Sequence, residues 1–494
     1  MDYKWKRWYI PGALLILGVF SLTALILSVV EIHMVTLPPA NKYGLVFDAG
    51  SSHTSLFVYQ WPMDKENNTG VVSQTFSCHV NGSGISSYAN NPPQAGVSLR
   101  ECLDKAMTVI PRERQREAPA YLGATAGMRL LRMKNETAAA QVLEAVGTTI
   151  QQYPVSFQGA RIITGKEEGA YGWITINYLL NSFTKYSAEK QDWIHPTSAN
   201  ILGALDLGGA STQISFVPAA QITDPSKAAQ FRLYGFDYTI YTHSYLCYGQ
   251  NEALDHVIRI LLNSSTSNET DHPCYPKGYS DSIKVASVYS SPCAKQPSQP
   301  ASLINVTLRG TGDMELCRDT FKKIFNFTDC SHEESCGFNG VYQPKVNGKF
   351  LAFSAYYYTF HFLNLTEIQP LTTVEDAIKA YCSRTWDELK SSYPTERDVR
   401  LKNYCASANY ILTLLLNGYG FNNDTWNSIS FQMQAANSDI GWTLGYMLNL
   451  TNMIPSELPQ RLRGHEEGVW AASVFFIAIL LAFCLIFLLV YVLH

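Results

Sequence analysis

Two short stretches pair an aspartate with small residues: Asp48-Ala49-Gly50-Ser51-Ser52-His53 and Asp206-Leu207-Gly208-Gly209-Ala210-Ser211. Glycine permits close approach, and successive backbone N–H groups in a tight turn form a nest for phosphate oxygens. The leading carboxylate would repel phosphate unless a hydrated divalent cation sat between them. A single Asp-x-Gly turn is also an ordinary hairpin element. Two copies, each between apolar strands, point to phosphate chemistry. Asp48 and Asp206 are therefore the candidate metal-site residues. Gly50, Ser51, Ser52, His53, Gly208, Gly209 and Ala210 are the candidate phosphate-loop residues, and His53 serves equally well as a turn filler. A third small-residue turn, Gly123-Ala124-Thr125-Ala126-Gly127, precedes a helical pattern. A helix N-terminus can hold an anion. Tight packing is the plainer account of that turn, with Thr125 as its polar candidate. In Thr164-Gly165-Lys166-Glu167-Glu168-Gly169 two carboxylates open a helix. The helix dipole alone favours acid there, which accounts for Glu167. Glu168, beside Gly169, is the candidate general base for a water molecule.

These side chains need strands and helices to hold them. Residues 44–47 and 55–59 read as strands flanking the first turn, and 201–205 and 213–217 repeat the arrangement around the second. This internal echo has no short period, so solenoids and propellers are excluded, and it predicts two similar α/β lobes. Residues 138–152 and 169–180 read as helices. The Pro-, Ser- and Cys-rich stretch 266–300 reads as a disulfide-stapled loop region, and 455–464 as a linker. Gly159 to Lys166 has the wrong spacing for a phosphate-binding Walker loop, and Glu167 stands where Ser or Thr is required. No dinucleotide, zinc-protease, esterase or kinase motif is present.

The chain has 494 residues, about three domains' worth by length. Its net charge of −4 argues against a nucleic-acid partner. Apolar runs at 10–30 and 469–493 each suffice to span a bilayer, and Lys4, Lys6 and Arg7 should keep the N-terminus cytoplasmic. Both termini are then inside and residues 36 to 467 outside. Of eleven cysteines, Cys484 lies in the second run as an apolar filler. The other ten lie outside and read as five disulfides in an oxidising compartment. Glycosylation sequons at Asn67, Asn81, Asn135, Asn263, Asn268, Asn305, Asn326, Asn364, Asn423 and Asn449 fall in the same segment. Ala478 and Ala482 form a small-xxx-small pair suited to helix association in a homo-oligomer.

Five stretches, in order, resemble the apyrase conserved regions of the ecto-nucleoside triphosphate diphosphohydrolase family (GDA1/CD39 type): DAGSSHTS from Asp48, GATAGMRLL from Gly123, residues 163–178, DLGGASTQISF from Asp206 and DIGWTLGYML from Asp439. The resemblance implies two ribonuclease-H-like lobes of the actin and hexokinase type. Lobe I would span 36–164, completed by about 433–460, and lobe II 165–432. A tail at 1–9, transmembrane helices at 10–30 and 469–493, and a linker at 461–468 would complete the chain. It implies Glu168 as catalytic base, with Ser211 and Gln213 holding the attacking water. Asp48 and Asp206 would organise hydrated Ca²⁺ or Mg²⁺, with Trp442 nearby. Thr125 would bind phosphate, and Tyr357 and Arg400 would hold the base. Lys166 departs from the Gln of many relatives and adds charge beside Glu168, lowering its pKa. Pairing as in relatives would join Cys78–Cys102, Cys247–Cys293, Cys274–Cys317, Cys330–Cys336 and Cys382–Cys405. The implied activity is removal of the terminal phosphate from extracellular ATP, ADP, UTP and UDP at the plasma membrane. A kinase on the same fold, a Golgi-type nucleoside diphosphatase and a non-catalytic receptor ectodomain are the rivals.

Overall fold

The computed structural model describes residues 3–29, 35–36, 41–62, 71–183, 185–187, 192–194, 200–264, 267–294, 304–330, 335–453, 461–462 and 467–493. They form two units. One comprises Met1–Asn41, Pro62–Asp64 and Ser456–His494, the other Lys42–Trp61 and Lys65–Pro455.

The terminal unit contains the helices Tyr3–Val29 and Glu467–Leu493. Within them Pro11–Ser28 and Trp470–Val490 are long and apolar enough to cross a membrane. The Trp470 indole N–H donates to the Ser28 carbonyl at 3.1 Å. Buried Cys484 faces Gly18, so the filler reading of this cysteine gains a packing partner. Ala478 and Ala482 are exposed and take no part in that contact. Val35–Thr36 pairs antiparallel with Arg461–Leu462.

The larger unit is built on two sheets of the same plan. The first uses β1 (Asn41–Ala49), β2 (Thr54–Pro62), β3 (Ser73–His79), β4 (Pro119–Ala124) and β5 (Ser156–Ile162) in the order 3-2-1-4-5. Strand β4 runs parallel to both β1 and β5, and β3 antiparallel to β2. The main helices that accompany this sheet are α1 (Pro92–Val109), α2 (Ala126–Lys134) and α3 (Glu136–Ile150). Next comes α4 (Gly165–Leu179). The second sheet uses β6 (Gly203–Leu207), β7 (Ser211–Phe216), β8 (Ala228–Leu233), β9 (Phe236–Leu246), β10 (Phe350–Ser354) and β11 (Ile429–Phe431) in the order 8-9-7-6-10-11. Apart from the added edge strand β8, this repeats the first sheet: an antiparallel meander, then two parallel strands. Helices α5 (Gln250–Asn263) and α6 (Ala355–Phe362) belong to this part, and α7 (Trp442–Met453) follows it.

Alternation along the strands explains the layering, because successive side chains point to opposite faces. In β1, Leu45 and Phe47 pack with α1 and α3, while Val46 enters a core shared with Trp173 and Met447. In the second sheet Leu205 and Leu207 face one core, and Ala204 faces the shared one. Helices α4 and α7 cross inside that shared core. A methyl group on Gly445 would collide with the Tyr171 carbonyl, so the crossing requires glycine. Thr175 ties it further, donating to the Gly441 carbonyl at 2.6 Å and accepting from the Gly445 amide at 2.8 Å.

Cys78–Cys102, Cys247–Cys293, Cys274–Cys317 and Cys382–Cys405 are bonded. Cys336 is disulfide-bonded, and the side chain of Cys330 lies outside the described residues. Residues 266–300 depart from the loop expectation. Glu269–His272 and Ser280–Lys284 flank Asn305–Gly310 in a three-stranded sheet, whose central strand lies beyond the stretch that the composition had marked. Asn67 lies outside the described residues. The other sequons are exposed except Asn449, which is half-buried on α7.

Candidate active site

Helix α4 begins with a capping box. The Thr164 hydroxyl accepts from the Glu167 amide at 3.1 Å, and the Glu167 carboxylate accepts from the Thr164 amide at 2.8 Å. Arg161 pairs with Glu167 at 2.9 Å. Glu167 thus serves the helix end, and Glu168, one residue on, is turned inward and buried. Gly169 allows this. A Cβ there would lie 2.8 Å from the Ser215 hydroxyl and 2.9 Å from that of Thr242, so α4 sits directly on β7 and β9.

Glu168 Oε2 accepts from Arg129, in an ion pair whose two side chains are 10% and 8% exposed, and from Gln213 Nε2 at 3.2 Å. Gln213 Nε2 also lies 2.7 Å from Ser211 Oγ and 2.9 Å from Ser244 Oγ. Two amide hydrogens face three acceptors, and Gln213 Oε1 is buried without a partner. The base candidate and the two water-holding candidates therefore form one hydrogen-bonded cluster.

The two turns meet. A Cβ on Gly209 would lie 2.6 Å from Ser51 Oγ, and one on Gly127 would lie 2.7 Å from Ser51 Cα. The second turn is held by the start of α5. The amides of Gln250 and Asn251 donate to the carbonyls of Gly208 and Gly209, each at 2.9 Å. In a planar trans peptide the N–H points opposite the C=O. The N–H groups of Gly209 and Ala210 therefore point away from α5. Gly50 and Ser51 are half-buried, whereas Ser52 and His53 reach solvent. The buried Thr125 donates its amide to the Ala49 carbonyl at 3.0 Å, placing it beside the first turn.

Asp48 and Asp206 are the penultimate residues of β1 and β6, at matching places in the two sheets. Burial pushes the Asp48 carboxyl up to about 6, with the Trp442 indole pulling the other way. Neither Asp48 Oδ1 nor the indole N–H has a partner at hydrogen-bond geometry. Burial, then the charge of Glu168, pushes Asp206 up to about 8, with the Ser354 hydroxyl opposing. Burial also holds Glu168 above the ordinary carboxylate range, against the pull of Arg129. The charge of Asp48 thus adds to the upward shift of Glu168, and both add to that of Asp206, with Arg129 opposing. Among the described residues no three His, Cys, Asp or Glu side chains converge for direct metal ligation. Trp442 packs on Gly123, where a methyl group would enter the indole ring. The third turn is thus a packing site as well as the support of Thr125.

The aromatic run separates into roles. Tyr356 and Phe360 are core residues. Tyr357 stacks on His361, with ring centroids 5.1 Å apart. Tyr358 is the exposed ring, and it is the one whose phenol feels the charge of Arg400. Tyr357, the expected base-stacking residue, is half-buried beside this exposed ring. Contrary to expectation, the Lys166 ammonium donates to the Ser226 carbonyl at 3.2 Å and does not lower Glu168. Arg129 is the cation there, and sequence reasoning missed it. The available signal was an arginine four residues after Thr125 in an otherwise small and apolar helix start. Ser244 gave no signal beyond strand alternation.

The fold and site define a two-lobed α/β scaffold with paired glycine turns beside buried carboxylates. The crystal structure of nucleoside triphosphate hydrolases from Neospora caninum superposes with a TM-score of 0.59 at 14% identity, covering 87% of this chain and 95% of that one. Residues 34–465 match the GDA1/CD39 (nucleoside phosphatase) family, and the chain belongs to that family. Ectonucleoside triphosphate diphosphohydrolase 8 of Gallus gallus is 53% identical over 97% of this chain and 96% of its own length. The Bos taurus protein of the same name is 51% identical over 98% and 97%.

Proposed function

We propose that this protein is an ectonucleotidase that hydrolyses nucleoside tri- and diphosphates to the monophosphate. Ectonucleoside triphosphate diphosphohydrolase relatives at about half identity over nearly the whole chain support this activity. The observation that carries the mechanism is the buried Glu168–Gln213–Ser211 cluster beside two glycine turns in contact. Glu168 accepts a proton from water as the water attacks the terminal phosphorus in line. Gln213 Oε1 accepts the second water hydrogen, and Ser211 fixes the amide. The N–H groups of Gly209 and Ala210, with those of Gly50 to His53 and the Thr125 hydroxyl, bind phosphate oxygens. No side-chain nucleophile is required. Tyr358 or Tyr357, with Arg400, flanks the base.

The residues fit a hydrated divalent cation. Asp48 has a buried, unpartnered oxygen, and Asp48, Glu168 and Asp206 repel one another. Ca²⁺ or Mg²⁺, held through water by Asp48 and Asp206, would supply charge neutralisation at the phosphates. We place the protein in the plasma membrane with both termini cytoplasmic. We set the lobe boundary at residues 164–165, with 433–460 returning to lobe I.

The test is phosphate release from ATP and ADP by intact cells expressing the chain, with Ca²⁺, an EDTA control and no other acceptor. Metal-dependent release ending at AMP is expected, and Glu168→Gln should lower turnover by about 10²-fold or more. Near-normal turnover in a correctly folded Glu168→Gln protein would remove Glu168 from the mechanism. Release only in the presence of an acceptor would favour the kinase.

A further inference from the structure

The tip of the first phosphate turn carries an imidazole that catalysis does not use. His79, at the end of β3, stands opposite Ser55 of β2. Side chains two residues apart share a face, so His53 lies on the same side as His79. Both reach solvent. Their ring centroids are 5.2 Å apart at 40°. With Zn–N bonds of about 2.0–2.1 Å and each centroid about 1.1 Å behind its nitrogen, a tetrahedral ligand angle separates two imidazole centroids by about 5.2 Å.

A second observation supports ligation. Ser52 Oγ lies 3.0 Å from His53 Nδ1. Either atom can donate; in the tautomer that binds a metal through Nε2 the hydroxyl accepts from Nδ1–H, as partners of metal-binding histidines commonly do. Partial desolvation holds both imidazoles below the ordinary histidine range, so they are neutral at pH 7. We propose that His53 and His79 form a two-imidazole site for a borderline transition-metal cation of the Zn²⁺ or Cu²⁺ class. The inhibitory part of this proposal rests on the hydrolase reading: a cation clamping the turn to β3 slows nucleotide turnover. The two remaining positions would be filled by water or a phosphate oxygen.

The experiment uses the full chain purified in detergent. Phosphate release from ATP with Ca²⁺ is followed against ZnCl₂, and Cu²⁺ is titrated with electron paramagnetic resonance as the binding readout. His79→Ala and His79→Gln should hydrolyse ATP normally without Zn²⁺. Their midpoint for Zn²⁺ inhibition should rise by about tenfold or more, at least the effect of losing an outer partner. The variants should also lose a two-nitrogen Cu²⁺ signal present in the parent. Unchanged inhibition together with an unchanged Cu²⁺ spectrum would overturn the site. Inhibition relieved by excess Ca²⁺ equally in parent and variants would locate the Zn²⁺ effect at Asp48 and Asp206 instead, and would overturn the inhibitory role. A parent without hydrolysis would sink the hydrolase reading, while the Cu²⁺ spectra would still decide the site.

Discussion

Arg129 offers the sharpest test of how the base is tuned. Its guanidinium faces Glu168 with both side chains about nine-tenths buried. Replacing Arg129 with Met removes the cation whose attraction offsets burial and the charge of Asp48 on Glu168. An uncompensated buried charge costs about 3–5 kcal/mol. Glu168 avoids that penalty by holding its proton, which removes the base. Turnover at pH 7 should therefore fall by about 10²-fold or more, the usual worth of a general base. The sign is set by the carboxyl. Its base form exists above its pKa, so the rising limb of the rate profile should move to more alkaline pH. Part of the lost activity should return there. Arg129→Lys keeps the charge without the fork and should lie between the two. The assay is kcat and KM for ATP from pH 6 to 9 with saturating Ca²⁺. A Met variant with the parent's kcat profile and only a raised KM would refute the tuning argument and make Arg129 a phosphate ligand.

Three further outcomes follow from the geometry. Cation-free Asp48 and Asp206 hold protons up to about pH 6 and 8, above the ordinary aspartate value. Their contribution to stability therefore falls as pH rises through that window, and Ca²⁺ should bind with proton release near pH 7, read by calorimetry in buffers of different ionisation enthalpy. Pairing of calorimetric heats with no buffer dependence would contradict this. Gly445→Ala should lower stability by about 1–3 kcal/mol through overpacking on Tyr171, whereas Gly441→Ala, which meets nothing within 4 Å, should melt like the parent. Ser354 holds φ at +57° beside Asp206. Ser354→Gly should be more stable than Ser354→Ala by about 1 kcal/mol, because only glycine takes that conformation freely; equal melting temperatures would argue against strain.

Much of the molecule follows from local chemistry. Apolar runs at the two ends, alternation around Asp48 and Asp206, and glycine-rich turns are patterns a chain carries in its own order. They were enough to place two echoing strand–turn–strand units, now seen as the cores of two sheets with one topology. Strand ends moved by a few residues, and 269–284 became sheet because its central partner, Asn305–Gly310, lies far along the chain. Glu168 was legible beside Gly169, but the reason for glycine there was not. It is the close seat of α4 on Ser215 and Thr242.

What sequence alone determined is the set of candidates: carboxylates beside glycine turns, in a chain with an apolar run near each end. Tertiary structure decided the electrostatics. Arg129 and Glu168 are 39 residues apart in the chain and are ion-paired in the fold. Lys166, only two residues from Glu168, turns instead to Ser226. The physical reason is that a buried carboxylate responds to distance and dielectric, and neither is encoded by neighbourhood in the chain.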